Sequence, residues 1–177
     1  MNLQQLITES IRGSAANVFA TMLGQDLPQG EVTVEHGAPE PNDGVVSFIG
    51  IAGTWAGTGS ICCTPALACR ICSQMLMMDA TAVDAEVLDA VAELTNMIIG
   101  SVKTDLEQHL GPLGLSIPTV VFGRNFKTKS AGQHEWIVVG FVLDGEPLTV
   151  KMCLTPNERA VPQPRQITAN HLYTLDV

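Results

Sequence analysis

The chain has 177 residues, 46% of them hydrophobic and 15% charged, a balance that fits one domain with a real core and no need of disulfide or metal staples. Its formal charge of −9 is not offset by any basic run, which argues against nucleic acid or an anionic membrane surface as partner. No stretch reads as a secretory leader, no apolar run approaches about 20 residues, and five cysteines are an odd number for a secreted disulfide framework; the cytoplasm is the expected location.

In chain order, residues 2–23 read as a helix with Leu6, Val18 and Met22 among its apolar positions, ended by Gly24. Pro28, Gly30, Pro39, Pro41, Asn42 and Gly44 mark turns around a short strand at 31–35. A strand is expected at 45–52, and Gly57 with Gly59 suggests a tight turn into a second strand at 59–63. Thr64 before Pro65 is a helix start, a capping hydroxyl followed by Pro at the first helical position. That helix carries Leu67, Ile71, Met75 and Met78 on one side and ends near Asp79, the methionines from Met75 onward serving as core filler. A long helix follows at 84–109, stopped by Gly111 and Pro112. Strands are expected at 120–122, 135–143 and 148–154, the last two joined by an Asp144-Gly145 turn. The tail from about Thr155 shows little periodicity, apart from a strand or short helix at 171–177, and its role is unreadable.

The long helix holds the clearest functional signal. At about 100° per residue, Asp89, Glu93, Asn96, Gly100 and Lys103 fall within an arc of about 80°. The opposite side carries Val87, Leu88, Val91, Leu94, Ile98, Ile99, Val102, Leu106 and Leu110, the pattern of a helix packed on a core. A mid-helix Asn costs up to roughly 0.7 kcal/mol and a Gly about 1 kcal/mol against Ala, so a face that merely had to be wet would use neither. Gly100 leaves clearance for a partner, and Glu93 and Asn96 project side by side into that approach.

Laying the two long helices over one another at a spacing of 79 puts Ser10, Ser14, Asn17 and Pro39 on Asp89, Glu93, Asn96 and Pro118. Each half then continues into two apolar strand candidates, which suggests a duplicated helix-plus-strands unit. The expected fold is therefore α+β, a pseudo-twofold domain with an antiparallel sheet packed against long helices, spanning 1–177 as a single unit.

These residues resemble the CheC/CheX/FliY family of chemotaxis phosphatases. Its signature is an acidic or Ser residue, a Glu after three intervening residues, an Asn after two more, and a Pro about twenty residues beyond; here Asp89, Glu93, Asn96 and Pro118 stand there. The run from Asp89 to Lys103 looks like the family's active-site helix, and the glycine-punctuated stretch 50–60 like the hairpin before it. With Ser14 where a first functional copy would need Glu, the chain looks like the CheX type, which keeps one site. The resemblance implies hydrolysis of the phospho-aspartate of a CheY-like response regulator. It also implies a homodimer, by strand exchange between subunits.

The chemistry of the stripe is compatible with that role. Phosphoryl transfer needs positioning and charge stabilisation more than covalent chemistry, so Asn96 would hold the attacking water and Glu93 would dock on a cation of the regulator. Asp89, Gly100 and Lys103 would line the docking surface, and Pro118 would shape the segment beside the helix. Mg²⁺ would come with the regulator, leaving no metal ligand on this chain. Two other readings compete. One is a non-catalytic module that binds a response regulator; the other is a metal or redox protein using Cys62, Cys63, Cys69 and Cys72, which the apolar setting of Cys69 and Cys72 and the opposed faces of Cys62 and Cys63 disfavour. His36, His109, His134 and His171 form no ligand-spaced pair. Asn17 reads as a structural or solvent-facing residue.

Overall fold

The structure, a computed structural model, describes residues 2–36, 42–127 and 135–158. Helix α1, Leu3–Val18, starts where Asn2 caps it in a reciprocal box with Gln5 and runs into a single π-helical turn, Phe19–Leu23, closed by Gly24 in the left-handed region. Strands β1 (Gln29–His36), β2 (Asn42–Gly53) and β3 (Trp55–Cys63) follow. Helix α2, Pro65–Leu76, begins at the Thr64 hydroxyl, which accepts from the Leu67 N–H at 3.1 Å. Helix α3, Ala85–Leu110, is capped by Asp84 and ends at Gly111. The chain closes with β4 (Leu113–Leu115), β5 (Thr119–Phe126), β6 (Glu135–Leu143) and β7 (Glu146–Pro156). Positive φ at Asp144 and Gly145 makes the β6–β7 turn as the sequence implied.

All seven strands form one antiparallel sheet in the order β1-β6-β7-β3-β2, with β5 and β4 sharing the free edge of β2 end to end. Exchanging β1, β2 and β3 for β5, β6 and β7 leaves this order unchanged, so the pseudo-twofold runs between β3 and β7. The outer strands are interleaved: β1 of the first unit pairs with β6 of the second, and β5 of the second with β2 of the first. The helices lie over one face, where Val45, Ile49, Ile51, Ile61, Val139, Phe141, Leu148, Val150 and Met152 meet Ile7, Ile11, Leu67, Ile71, Val91, Leu94, Ile98 and Ile99.

The helical repeat has a different register from the one the residue matches suggested. Buried positions 7, 10, 11, 14, 15, 18 and 19 of the first helix fall on buried positions 87, 90, 91, 94, 95, 98 and 99 of α3 at a spacing of 80, not 79. Ser10 and Ser14 are buried, and the Ser14 hydroxyl bonds Ser101 of α3 at 3.0 Å; they are packing residues, not relics of Asp89 and Glu93. At that spacing Asp89, Glu93 and Asn96 correspond to Glu9, Gly13 and Ala16, so the first unit lacks both the Glu and the Asn. Asn17 is exposed, in line with its solvent-facing reading.

Other expectations also shift. Gly57 and Gly59 are not a turn but lie inside β3, where they permit close approach: a Cβ on Gly57 would fall 1.9 Å from the Cys153 carbonyl oxygen, and one on Gly59 would fall 3.0 Å from the Ile99 side chain. The turn sits instead at Gly53 and Thr54, fixed by Thr54 N–H to Pro112 O at 3.1 Å. Of Met75, Met77 and Met78, only Met75 packs against the core; α2 stops at Met77, left-handed and 95% exposed, and Met78 lies beyond the helix. Strand β4 is an addition to the expected elements, and Thr155 and Pro156 belong to β7 rather than to a tail. Pro39, Pro41, His134 and the segment 171–177 lie outside the described residues.

A strand glycine, Gly57, and a helix glycine, Gly13, make a paired test. Gly57→Ala drives a methyl group into backbone and should cost roughly 1–3 kcal/mol, whereas Gly13→Ala, with nothing within 4 Å of its Cβ, should gain roughly 0.5–1 kcal/mol of helix stability; thermal melting of the two variants beside the parent checks both signs.

Candidate active site

The rotation of α3 follows from its buried residues. Val87, Ala90, Val91, Leu94, Thr95, Ile98, Ile99, Val102 and Leu106 are all buried, and the Thr95 hydroxyl, the polar exception, donates to Val91 O at 2.8 Å. Ile99 seats on Gly59 of β3. At the far end the Thr54 hydroxyl donates to Leu110 O at 2.6 Å. With that face held against sheet and neighbouring helices, Asp89, Glu93 and Asn96 stand exposed, and Gly100 and Lys103 half-buried, along the opposite side. The five residues singled out in the sequence are thus brought onto one surface.

Among the described residues, Asp89, Glu93 and Asn96 have no hydrogen-bonding or ionic partner. Asp89 and Glu93 stand at i and i+4, a like-charge pair that costs a few tenths of a kcal/mol in a helix. Nothing local repays that cost or the weak helix preference of Asn96. At Gly100 an added Cβ would meet no atom closer than Leu115 Cδ1 at 4.0 Å, so packing within the chain does not require glycine there.

Lys103 is engaged rather than free. Its ammonium pairs with Glu107 at 2.8 Å, and the other Glu107 oxygen accepts from the Leu113 N–H at 2.8 Å. Glu107 lies 18 residues after Asp89, five helical turns, and so on the same stripe; reading the sequence missed it because Gly111 and Pro112 seemed to close the helix with no further contact. It ties the stripe's end to β4. Pro118 is half-buried between β4 and β5. The preceding segment is fixed to β2 by the Gly50 N–H donating to Ser116 Oγ and the Ser116 N–H donating to Gly50 O, both at 2.9 Å. The stripe is therefore bordered by α1 on one flank and by β4 and β5 on the other.

A family model described as chemotaxis phosphatase CheX matches residues 45–142, a span that includes all of α3. The chain belongs to the CheX family. It is 33% identical over 129 residues to the CheY-P phosphatase CheX of Thermotoga maritima, covering 71% of this chain and 81% of that protein. A CheC-like superfamily protein from Shewanella sp. PV-4 superposes with a TM-score of 0.76 at 26% identity, over 88% of this chain and 99% of the other. CheX of Borrelia burgdorferi, crystallised in complex with CheY, BeF₃ and Mg²⁺, shares the fold at a TM-score of 0.72 and 23% identity, over 82% and 96%. The α+β pseudo-twofold architecture is that of the CheC-like and CheX structures.

The cysteines of this CheX-family chain give little support to thiol chemistry. All five are free, and burial pushes the Cys63 thiol up to about 12 and raises Cys62, Cys69, Cys72 and Cys153 as well, the opposite of an activated thiolate. Cys62 and Cys63 point to opposite faces of β3, as expected. Among the described residues no group of three or more His, Cys, Asp and Glu could hold a metal ion, and no helix is long and apolar enough to cross a membrane.

The Lys103 ammonium and the Leu113 N–H hold the Glu107 carboxyl below its usual range. A carboxylate with a lowered folded pKa contributes stability above the unfolded value and loses it as pH falls through the folded one. The melting temperature of Glu107→Gln should therefore lie below that of the parent at pH 7, with the gap closing toward pH 3; a gap that stays constant with pH would remove the Lys103–Glu107–Leu113 clamp from the account.

Proposed function

We propose that this CheX-family phosphatase hydrolyses the aspartyl phosphate of a CheY-like response regulator in the cytoplasm by inserting the Glu93–Asn96 stripe of α3 into the regulator's active site. The observation that carries the reading is the pairing of an unpartnered, exposed Glu93 and Asn96 on a helix whose rotation is fixed by its core. Support also comes from the relative in Thermotoga maritima, named a CheY-P phosphatase and 33% identical over 129 residues.

Asn96 presents an amide that can both accept from and donate to a water. Held in line with the phosphorus, that water attacks as the bond from phosphorus to the aspartyl oxygen breaks, the carboxylate leaving and the water's proton passing to the phosphate product; the Asn neither takes nor gives a proton, and its contribution is orientation, which is where much of the barrier to such a reaction lies. Glu93, one turn earlier on the same face, would be repelled by the phosphoryl group unless it pairs with a cation, so its role is docking on a lysine or similar group of the regulator. Asp89, Gly100 and Lys103 complete the docking surface, Lys103 by holding Glu107 and hence β4. The Mg²⁺ that neutralises the phosphoryl oxygens belongs to the regulator, and no step asks this chain for a base, a nucleophile or a metal ligand.

The test is the decay of each candidate CheY-like regulator of the source organism after phosphorylation with acetyl phosphate. Added protein should accelerate decay of at least one of them, Asn96→Ala should lose about 100-fold in turnover or more while still binding, and Glu93→Ala should lose both turnover and affinity. No acceleration with any regulator would leave a binding module instead of a hydrolase. A fully active Asn96→Ala would end the water-holding assignment.

Gly100 separates stability from docking. Gly100→Ala should stabilise the free protein by about 1 kcal/mol, since its Cβ meets only a 4.0 Å neighbour, yet weaken association with the phosphorylated regulator; equal or tighter binding would show that clearance at this position is not used.

A further inference from the structure

The phosphatase reading leaves an energetic question. The chain carries a formal charge of −9, its exposed stripe presents Asp89 and Glu93, and Lys103, its one cation, is already paired with Glu107. Beyond the Glu93 contact with a cation of the regulator, the net charge of this chain does not favour a phosphorylated partner. The edge strand beside the stripe offers an uncharged contribution to affinity.

Two fixed contacts set the level of α3 along the sheet. Leu110 meets Thr54, and Ile99 meets Gly59, which pairs with Ile49 of β2. The helical step from 110 to 99 spans about 16 Å at 1.5 Å per residue, and the strand step from 54 to 49 spans about 16 Å at 3.3 Å per residue, so α3 and β2 run alongside one another. Continuing the same count brings Asn96 between the levels of Phe48 and Ser47, Glu93 to that of Val46 and Asp89 close to that of Val45. The β5 partners of Ser47 and Val45 are Val120 and Phe122. Directly paired residues share a face of the sheet, and Val45 and Ser47 are buried on the helix side, so Val120 and Phe122 face that side too. Val120 packs into the core. Phe122 does not: it is 49% exposed, at the sheet edge beside the acidic end of the stripe.

A second apolar side chain lies at the other end of β5. Ile117 is 86% exposed, although the residue before it is tied to β2. Ser116 bonds Gly50 through both its amide and its hydroxyl, and the same hydroxyl donates to Ile117 O at 2.9 Å. Pro118 then restricts Ile117 to extended backbone. A large aliphatic group held out rigidly in water is poorly placed for stability and well placed as an anchor, because little conformational freedom is left to lose on binding.

We propose that Phe122 and Ile117 are the apolar anchors on which the phosphorylated CheY-like regulator seats when α3 enters its active site. The proposal rests on the phosphatase reading and deepens it: the stripe supplies orientation and chemistry, and the flanking β5 edge supplies affinity. The occupant is the regulator rather than a second copy of this chain, because both side chains continue the surface that the regulator must cover: Phe122 is paired with Val45 at the level of Asp89, and Ile117 follows Leu115, whose side chain lies 4.0 Å from a Cβ at Gly100.

The test is the steady-state dephosphorylation of whichever CheY-like regulator proves a substrate, phosphorylated with acetyl phosphate, with light scattering in parallel. Ile117→Asp and Phe122→Ala should each raise KM about tenfold and leave kcat within about twofold, whereas Asn96→Ala lowers kcat. Ile117 is almost wholly in water, so Ile117→Asp retains the fold even if Phe122→Ala melts early. Unchanged KM in Ile117→Asp with an active parent overturns the anchor proposal and leaves the phosphatase reading standing. So does a fall in kcat without a change in KM. Conversion of a dimer to a monomer by either variant, with KM unchanged, would reassign the edge to self-association. A parent inactive on every regulator overturns both readings together.

Discussion

The rotational setting of α3, fixed where Ile99 presses on the bare backbone of Gly59, is the constraint on which the rest of the site depends. A side chain at Gly59 would lift the helix or turn it, and each 100° of turn moves a different residue to the surface. Since nine residues of α3 are buried, no rotation other than the observed one keeps them all from water. Glu93 and Asn96 therefore need no ligand, no hydrogen bond and no second layer of side chains to be aimed. They are aimed by the core beneath them.

This explains how a site without a partner for any of its leading residues can be pre-organised. Loss of side-chain freedom is confined to two or three rotatable bonds on a rigid helix, and the backbone terms were settled during folding. The cost appears elsewhere, in the Asp89–Glu93 repulsion and in two poor helix formers, and it is small against the burial of the opposite face. At the helix's far end the Lys103–Glu107–Leu113 clamp joins the stripe to β4, so the helix and the flanking edge present one surface.

The sequence was most informative where one physical signal dominated. The 3.6-residue period of α3, its start near Asp84 and its Gly111 stop were legible because burial and chain termination agree there, and the stripe followed from the same period. Where a residue type serves two purposes the reading slipped. Gly57 and Gly59 looked like a turn because glycine makes turns, but here they admit a neighbouring carbonyl and Ile99. Met77 adopts the left-handed conformation with no glycine to announce it, so α2 seemed to keep its methionines inside. The identities of Asn17 with Asn96 and of Pro39 with Pro118 suggest a repeat of 79, whereas the buried positions of the two helices repeat at 80. Glu107 and the β5 flank depend on a strand of three residues, β4, too short to leave a periodic trace.

The interleaving of the outer strands has a consequence for how the chain reaches this structure. Because β1 finds its partner only in β6, and β2 finds β5 only after α3 has been traversed, neither repeat can complete its share of the sheet alone. The pairings Thr33 to Val138 and Val45 to Phe122 close loops of roughly a hundred and of nearly eighty residues, and such non-local contacts slow folding while making it cooperative. A domain duplicated in sequence is thus indivisible in folding: severing it between the two units would yield two incomplete sheets rather than two half-sized proteins.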